Sequence, residues 1–143
     1  MDRFVLVGEH TVVDKQKKLM WTRTDSMNDM KKWVNYQDSV DYVRTLCDKK
    51  IAGFDDWRLP TRDEMDTLYN ESYALKDKFE KDIHISDCFS PGGGFSMIAQ
   101  QVSGRMRTFV LNLRTGEYTQ PDGLWTLTEA ARAVRSLGVD EIF

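Results

Sequence analysis

Apolar and polar positions alternate in short blocks along the first third of the chain, the pattern of strands joined by tight turns. Arg3 to Gly8 is apolar and β-rich, and Gly8-Glu9-His10 reads as a turn. Thr11-Val12-Val13-Asp14 forms a second block, Lys15-Gln16-Lys17 turns the chain, and Lys18-Leu19-Met20-Trp21-Thr22 resumes it. These blocks predict a small meander. Arg23 to Lys32 is polar and aperiodic, so a surface loop is expected there.

The period then changes. Tyr36, Val40, Val43, Leu46 and Cys47 fall at helical spacing behind Asn35, a good N-cap, with Asp38 in the first turn. Gly53 is placed to end that segment with a positive φ. Pro60 disfavours helix at Leu59, so Trp57-Arg58-Leu59 is extended. Trp57 and Leu59 then share one face and fill the core, while Arg58 points the other way, toward Asp55, Asp56 or an orphan carbonyl. Thr61-Arg62-Asp63-Glu64 is a capping box, opening a second helix to about Asn70 with Met65, Leu68 and Tyr69 inward.

Beyond Glu71 the pattern is mostly irregular. Ser90-Pro91-Gly92-Gly93-Gly94 must be a loop, because three glycines lose too much backbone entropy inside a regular element. Phe95 to Gln100 suits a strand, and Arg107 to Leu113 is the clearest later one. Arg114-Thr115-Gly116 turns it into Glu117-Tyr118-Thr119 as a hairpin. The C-terminal stretch is a conflict in which local chemistry favours a helix. Thr126 to Glu129 resembles a capping box leading a helix, whereas Ala131 to Arg135 also tolerates a period-2 reading as a strand buried on both faces.

A length of 143 residues suits one domain spanning 1–143, and 41% hydrophobic with 30% charged residues is a globular balance. A net charge of −3 argues against a nucleic-acid partner. No apolar run approaches a membrane span, and Phe4 to Val7 is too short for a secretory core, so membrane insertion is not expected and a cytoplasmic location is. Two cysteines, Cys47 and Cys88, are too few for a disulfide framework; they read as reduced thiols or at most one bridge.

The block Gly53-Phe54-Asp55-Asp56-Trp57-Arg58-Leu59-Pro60-Thr61-Arg62-Asp63-Glu64-Met65 resembles the signature of a bacterial family. That family is named after the C-terminal domain of the Legionella collagen-like adhesin. Thr11 to Asp14, Leu19-Met20-Trp21 and Ala133 to Ser136 are similar to its first and last strands. The resemblance implies an α+β, C-type-lectin-like fold: an antiparallel sheet flanked by two helices, with long irregular loops. It implies a closing strand at Ala131 to Arg135, with Phe4 to Val7 as its neighbour. It also implies kinship with formylglycine-generating enzymes. The adhesin domain is associated with sulfated glycosaminoglycans, and other proteins of this fold bind proteins through variable loops.

The chemistry points to binding rather than catalysis. The calcium-dependent sugar motifs of that superfamily are absent, and Asp55-Asp56 and Asp63-Glu64 are explained by a turn and a helix start. Cys47 and Cys88, and His10 and His84, lie far apart in sequence, and the glycine run lacks the lysine of a phosphate loop. No enzyme, metal or cofactor is therefore expected. The expected binding residues are Phe95, Gln100, Arg105, Arg107 and Tyr118, with Met97, Gln101 and Trp125 beside them; Phe95, Met97 and Trp125 read first as core. Arginines 105 and 107 suit sulfate or carboxylate groups through forked hydrogen bonds. The expected partner is a protein, in a scaffolding role, or else an acidic glycan. Self-association into a homo-oligomer is compatible with either.

Overall fold

The computed structural model describes residues 3–100, 108–119 and 129–138. Strands β1 (Phe4–Val7), β2 (Thr11–Asp14) and β3 (Leu19–Thr22) form the expected meander. Helices α1 (Ser26–Met30), α2 (Tyr36–Asp48) and α3 (Arg62–Leu68) follow, with a single 3-10 turn at Ile51–Gly53 between the last two. Six short strands complete the described chain: β4 (Leu75–Lys76), β5 (Asp82–Ile83), β6 (Ser96–Ile98), β7 (Val110–Asn112), β8 (Tyr118–Thr119) and β9 (Val134–Ser136). The described residues thus hold three antiparallel sheets, ordered β1-β2-β3-β9, β4-β5 and β6-β7-β8, in place of one sheet.

The main sheet has a core on each face. Phe4, Val12, Trp21 and Val134 face one cluster, with Met65 and Leu68 of α3. Val13, Met20 and Ala133 face the other, with Tyr42, Val43 and Leu46 of α2 and with Trp57 and Leu59. Every residue of β2 and β3 is buried, which is why their sequences are not cleanly amphipathic. Asp14, the polar end of β2, is matched by Arg3, whose Nε and Nη2 donate to its carboxylate at 2.9 and 2.6 Å.

Two expectations for the C-terminus change. The strand is Val134–Ser136, and its ladder partner is β3, with Trp21 opposite Val134; β1 lies at the far edge. The tight meander leaves the outer edge of β3 open, and the returning chain takes it. Ala131 and Ala133 sit outside the ladder, accepting from Ser26 N–H at 2.8 Å and Thr22 N–H at 3.0 Å. Both alanines are fully buried, and larger side chains would not fit so close to β3 and α1. On its other side Val134 exchanges two backbone hydrogen bonds with Arg58, each 2.9 Å. The extended Trp-Arg-Leu segment is thereby fixed beside β9.

Arg58 corrects a further expectation. Its Nη1 and Nη2 donate to the two oxygens of Glu64 at 2.7 and 2.8 Å, instead of reaching Asp55 or Asp56. Glu64 also accepts from Thr61 N–H at 2.9 Å, while Thr61 Oγ1 accepts from Glu64 N–H at 3.2 Å. One carboxylate therefore closes the helix cap and locks the arginine. Burial raises the Glu64 pKa, but the bonds from Arg58 and Thr61 outweigh it, and the net shift is downward from 4.5. A lowered folded value means that the unfolded chain binds the proton more readily. The stabilisation is fully present above the ordinary carboxylate value and is lost as pH falls through the lowered one. Thermal melts taken across that acid range should fall less steeply for Glu64→Gln than for the parent; parallel slopes would show that the pair carries no linkage.

Another difference lies at Arg23 to Lys32. The stretch contains α1, opened by a capping box in which Asp25 accepts from Asn28 N–H at 2.8 Å and Asn28 accepts from Asp25 N–H at 3.1 Å. The helix is short because Lys31 leaves it in the left-handed region, at φ 61°.

Candidate functional site

Three aromatic rings from separate segments meet on the surface. Trp33 follows α1, Phe79 sits in the turn between β4 and β5, and Phe95 enters β6. Trp33 stacks on Phe79 with centroids 6.5 Å apart and planes at 25°. Phe95 meets Trp33 edge-on at 4.9 Å and Phe79 at 6.4 Å. Phe79 is 52% exposed, a large fraction for an aromatic side chain. Trp33 and Phe95 are half-buried and form its base.

Two cations lie over these rings. Lys78 Nζ is 5.7 Å from the Trp33 centroid and 5.2 Å from that of Phe79. The Arg114 guanidinium is 4.5 Å from Phe95 and 5.8 Å from Phe79. Each such contact is worth about 0.5–1 kcal/mol at an exposed site.

Asp77 positions this surface. It is buried, and its Oδ1 accepts from the N–H groups of Phe79 at 2.8 Å and Lys81 at 3.0 Å. Its Oδ2 accepts from Arg114 Nε at 2.9 Å, with Arg114 Nη2 at 2.8 Å. Burial works to raise the Asp77 pKa, but these donors together hold it below the usual carboxylate range. One carboxylate therefore shapes the turn that displays Phe79 and holds the arginine that covers it.

The glycine loop supports Phe95 from below. Gly94 N–H donates to Asp25 Oδ2 at 2.8 Å. A Cβ on Gly94 would lie 2.6 Å from the Ala130 Cβ and 3.0 Å from the Trp33 ring, so only glycine lets the loop close against Trp33. The loop was expected on sequence grounds, but Gly93 and Gly94 are buried within the fold.

The expected binding residues are not gathered in one place. Phe95 belongs to the aromatic surface. Tyr118 and Gln100 lie toward the other end of the β6-β7-β8 sheet, since Phe95 O accepts from Leu113 N–H while Ala99 N–H donates to Phe109 O. Tyr118 donates to Asp66 at 3.0 Å, and Arg62 lies over both Tyr118 and Phe109 at 5.0 and 4.8 Å. Burial first, then Asp66, raise the Tyr118 pKa. Gln100 spends its amide on Leu59 O at 2.9 Å. Met97 is core, 1% exposed. Arg105, Arg107, Gln101 and Trp125 lie outside the described residues.

Other candidate chemistry is dispersed. Cys47 and Cys88 are unbridged and half-buried, with their thiols on different carbonyls, Trp57 O and Phe4 O. His10 is exposed, whereas His84 is half-buried with Nδ1 at 2.8 Å from Tyr73 O. Among the described residues no group of three or more His, Cys, Asp or Glu side chains could hold a metal ion. A cleft of about 550 Å³ beside α2 has Tyr42, Leu46 and Ile51 in its wall. Asp29, Asp38 and Asp41 share its lining with Lys32 and Lys49, so it presents no single sign of charge.

Sequence reading missed Trp33, Lys78 and Phe79. The available signal was an aromatic embedded in charge, Lys31-Lys32-Trp33 and Lys76-Asp77-Lys78-Phe79-Glu80-Lys81, where no periodic face explains the ring.

The sequence model described as the Lcl C-terminal domain matches residues 10–135. Comparison with curated proteins and with solved structures finds no match.

Proposed function

The chain belongs to the Lcl C-terminal domain family, and from that premise we propose that it is a non-catalytic binding module for a protein partner. The observation that carries this reading is the Trp33–Phe79–Phe95 surface with Lys78 and Arg114. Binding energy at protein interfaces concentrates in a few Trp, Tyr and Arg anchors, and ring-bearing side chains lose little entropy on docking. Here the anchors are preorganised by Asp77 before any partner arrives, which lowers the entropic cost of association. The fold reading that goes with this is C-type-lectin-like. It is supported by the closing strand beside β3 and by a helix on each face of the main sheet.

A second reading is a lectin-like module for acidic glycans such as sulfated glycosaminoglycans, and the lysines around the aromatic surface favour it. Against it, a densely charged glycan has no use for the exposed ring of Phe79, which an apolar side chain of a protein partner would cover.

Selection of random displayed peptides on the parent protein tests the protein reading. Selected peptides should bind Phe79→Ala at least about tenfold more weakly, since a central anchor is lost. The variant should stay folded and cooperative, losing about 1–2 kcal/mol with its two cation contacts at roughly 0.5–1 kcal/mol each. Peptides that bind the variant as well as the parent would place recognition elsewhere.

A further inference from the structure

We propose that the partner segment taken by this surface is acidic, and that its carboxylates are seated in the cleft that adjoins Phe79; this inference rests on the protein-binding reading above. The cleft has a volume of about 470 Å³ and shares Asp77 and Lys78 with the aromatic surface. Lys31, Lys76 and Lys78 line it from three places: the C-cap of α1, the end of β4 and the turn that follows. Met27, which is buried, and Pro91 and Gly92 supply its apolar wall.

The charge balance sets the sign of the ligand. Of the two acids in the lining, Asp77 is already matched by Arg114 at 2.8 Å, which leaves Glu80. Of the three lysines, Lys76 is paired with Asp82 at 2.6 Å. Lys31 and Lys78 therefore outweigh Glu80, and the cleft is locally positive on a chain whose net charge is −3. Lys31 is held in the left-handed conformation, with its N–H donating to Met27 O at 3.0 Å, so its backbone position is fixed by the end of α1. The Lys78 ammonium rests over Trp33 and Phe79, so this lysine belongs to both the rings and the cleft. An extended segment with an apolar side chain on Phe79 and a carboxylate one or two residues away satisfies both halves of the site. A uniformly charged polymer would use the lysines and leave Phe79 without a partner.

The probes are the peptides selected on the parent protein, each made also with every Asp and Glu replaced by its amide. At low salt the acidic form should bind at least about tenfold more tightly than the amide form, and added salt should shrink that gap as the charges are screened. The double variant Lys31→Gln with Lys78→Gln should bind both forms alike, while Phe79→Ala weakens both. Equal binding of the two forms to the parent, still lost in Phe79→Ala, overturns the acidic partner and leaves the aromatic surface standing. A preference that survives the lysine substitutions overturns the cleft. Dextran sulfate that displaces the peptides and binds Phe79→Ala undiminished would make the ligand an anionic polymer, and overturns the inference. A selection that yields no Phe79-dependent peptide overturns both readings together.

Discussion

A chain ended after residue 128 should not fold. The segment that begins at Glu129 is hydrogen-bonded to nearly every other part of the main core. Glu129 O accepts from Val34 N–H at 2.8 Å, Ala130 O from Ile98 N–H at 3.1 Å, and Ala131 O from Ser26 N–H at 2.8 Å. Ala133 O accepts from Thr22 N–H, and Val134 bridges β3 to Arg58. Removal would strand these donors in a buried setting, each at a cost of about 1–3 kcal/mol. It would also uncover Met20 and Trp21, which are almost fully buried. Five such donors come to about 5–15 kcal/mol, as much as the whole margin by which a domain of this kind is stable. Circular dichroism should show no cooperative melt and no near-ultraviolet signal. A truncated chain that keeps both would show that Val134–Ser136 is peripheral.

The same segment shows how far the chain could be read in advance. Local chemistry there favours a helix, but only narrowly, because propensities of ordinary residues differ by only about 0.7 kcal/mol. The resemblance tipped the balance toward a strand, correctly, but named β1 as its neighbour. Nothing local distinguishes the two edges of a meander; the choice is made by contacts with Arg58 and Ser26, distant in sequence. By contrast, Asn35 and Thr61 were legible as caps because each precedes an apolar period, and both caps form as read. Trp57 and Leu59 were legible as core because Pro60 holds the backbone that precedes it extended, and both are buried.

Only one of the three rings of the aromatic surface was visible in the sequence. Of its residues Phe95 was singled out, through its place beside the glycine run, while Trp33 and Phe79 have no periodic neighbours to mark them. Their meeting depends on three close approaches: Gly94 against Trp33, Asp77 against Arg114, and the turn at Phe79. A linear pattern carries no record of such approaches. Charged flanks around a lone ring are the nearest thing to a signal, and they identify the residues without bringing them together.

Asp25→Ala should be the most damaging single substitution considered, lowering stability by about 4–6 kcal/mol. Asp25 stands in the stretch expected to be a surface loop, yet it is 3% exposed. Its Oδ1 caps α1, a bond worth about 1 kcal/mol. Its Oδ2 accepts from Gly94 N–H and lies 4.0 Å from Arg132 Nη2. Arg132 is itself 2% exposed; it donates to Thr22 O at 2.9 Å and Arg23 O at 2.7 Å and lies over the Phe89 ring at 4.6 Å. Burial pulls the Arg132 pKa downward, and Asp25 is the foremost charge opposing that pull. Removing one member of a buried pair leaves the other charge uncompensated, a loss of about 3–5 kcal/mol. Asp25→Asn separates the contributions, since the amide oxygen can still cap α1 or accept from Gly94 but supplies no charge for Arg132. It should fall between the alanine variant and the parent in chemical denaturation. The consequence reaches the binding surface, because Gly94 carries the chain from this clamp into Phe95 and packs against Trp33. Asp25→Asn should therefore weaken peptide binding even where it is folded. A loss near 1 kcal/mol for Asp25→Ala would mean that only the helix cap is at stake, and that Arg132 is held by its two carbonyls without the carboxylate.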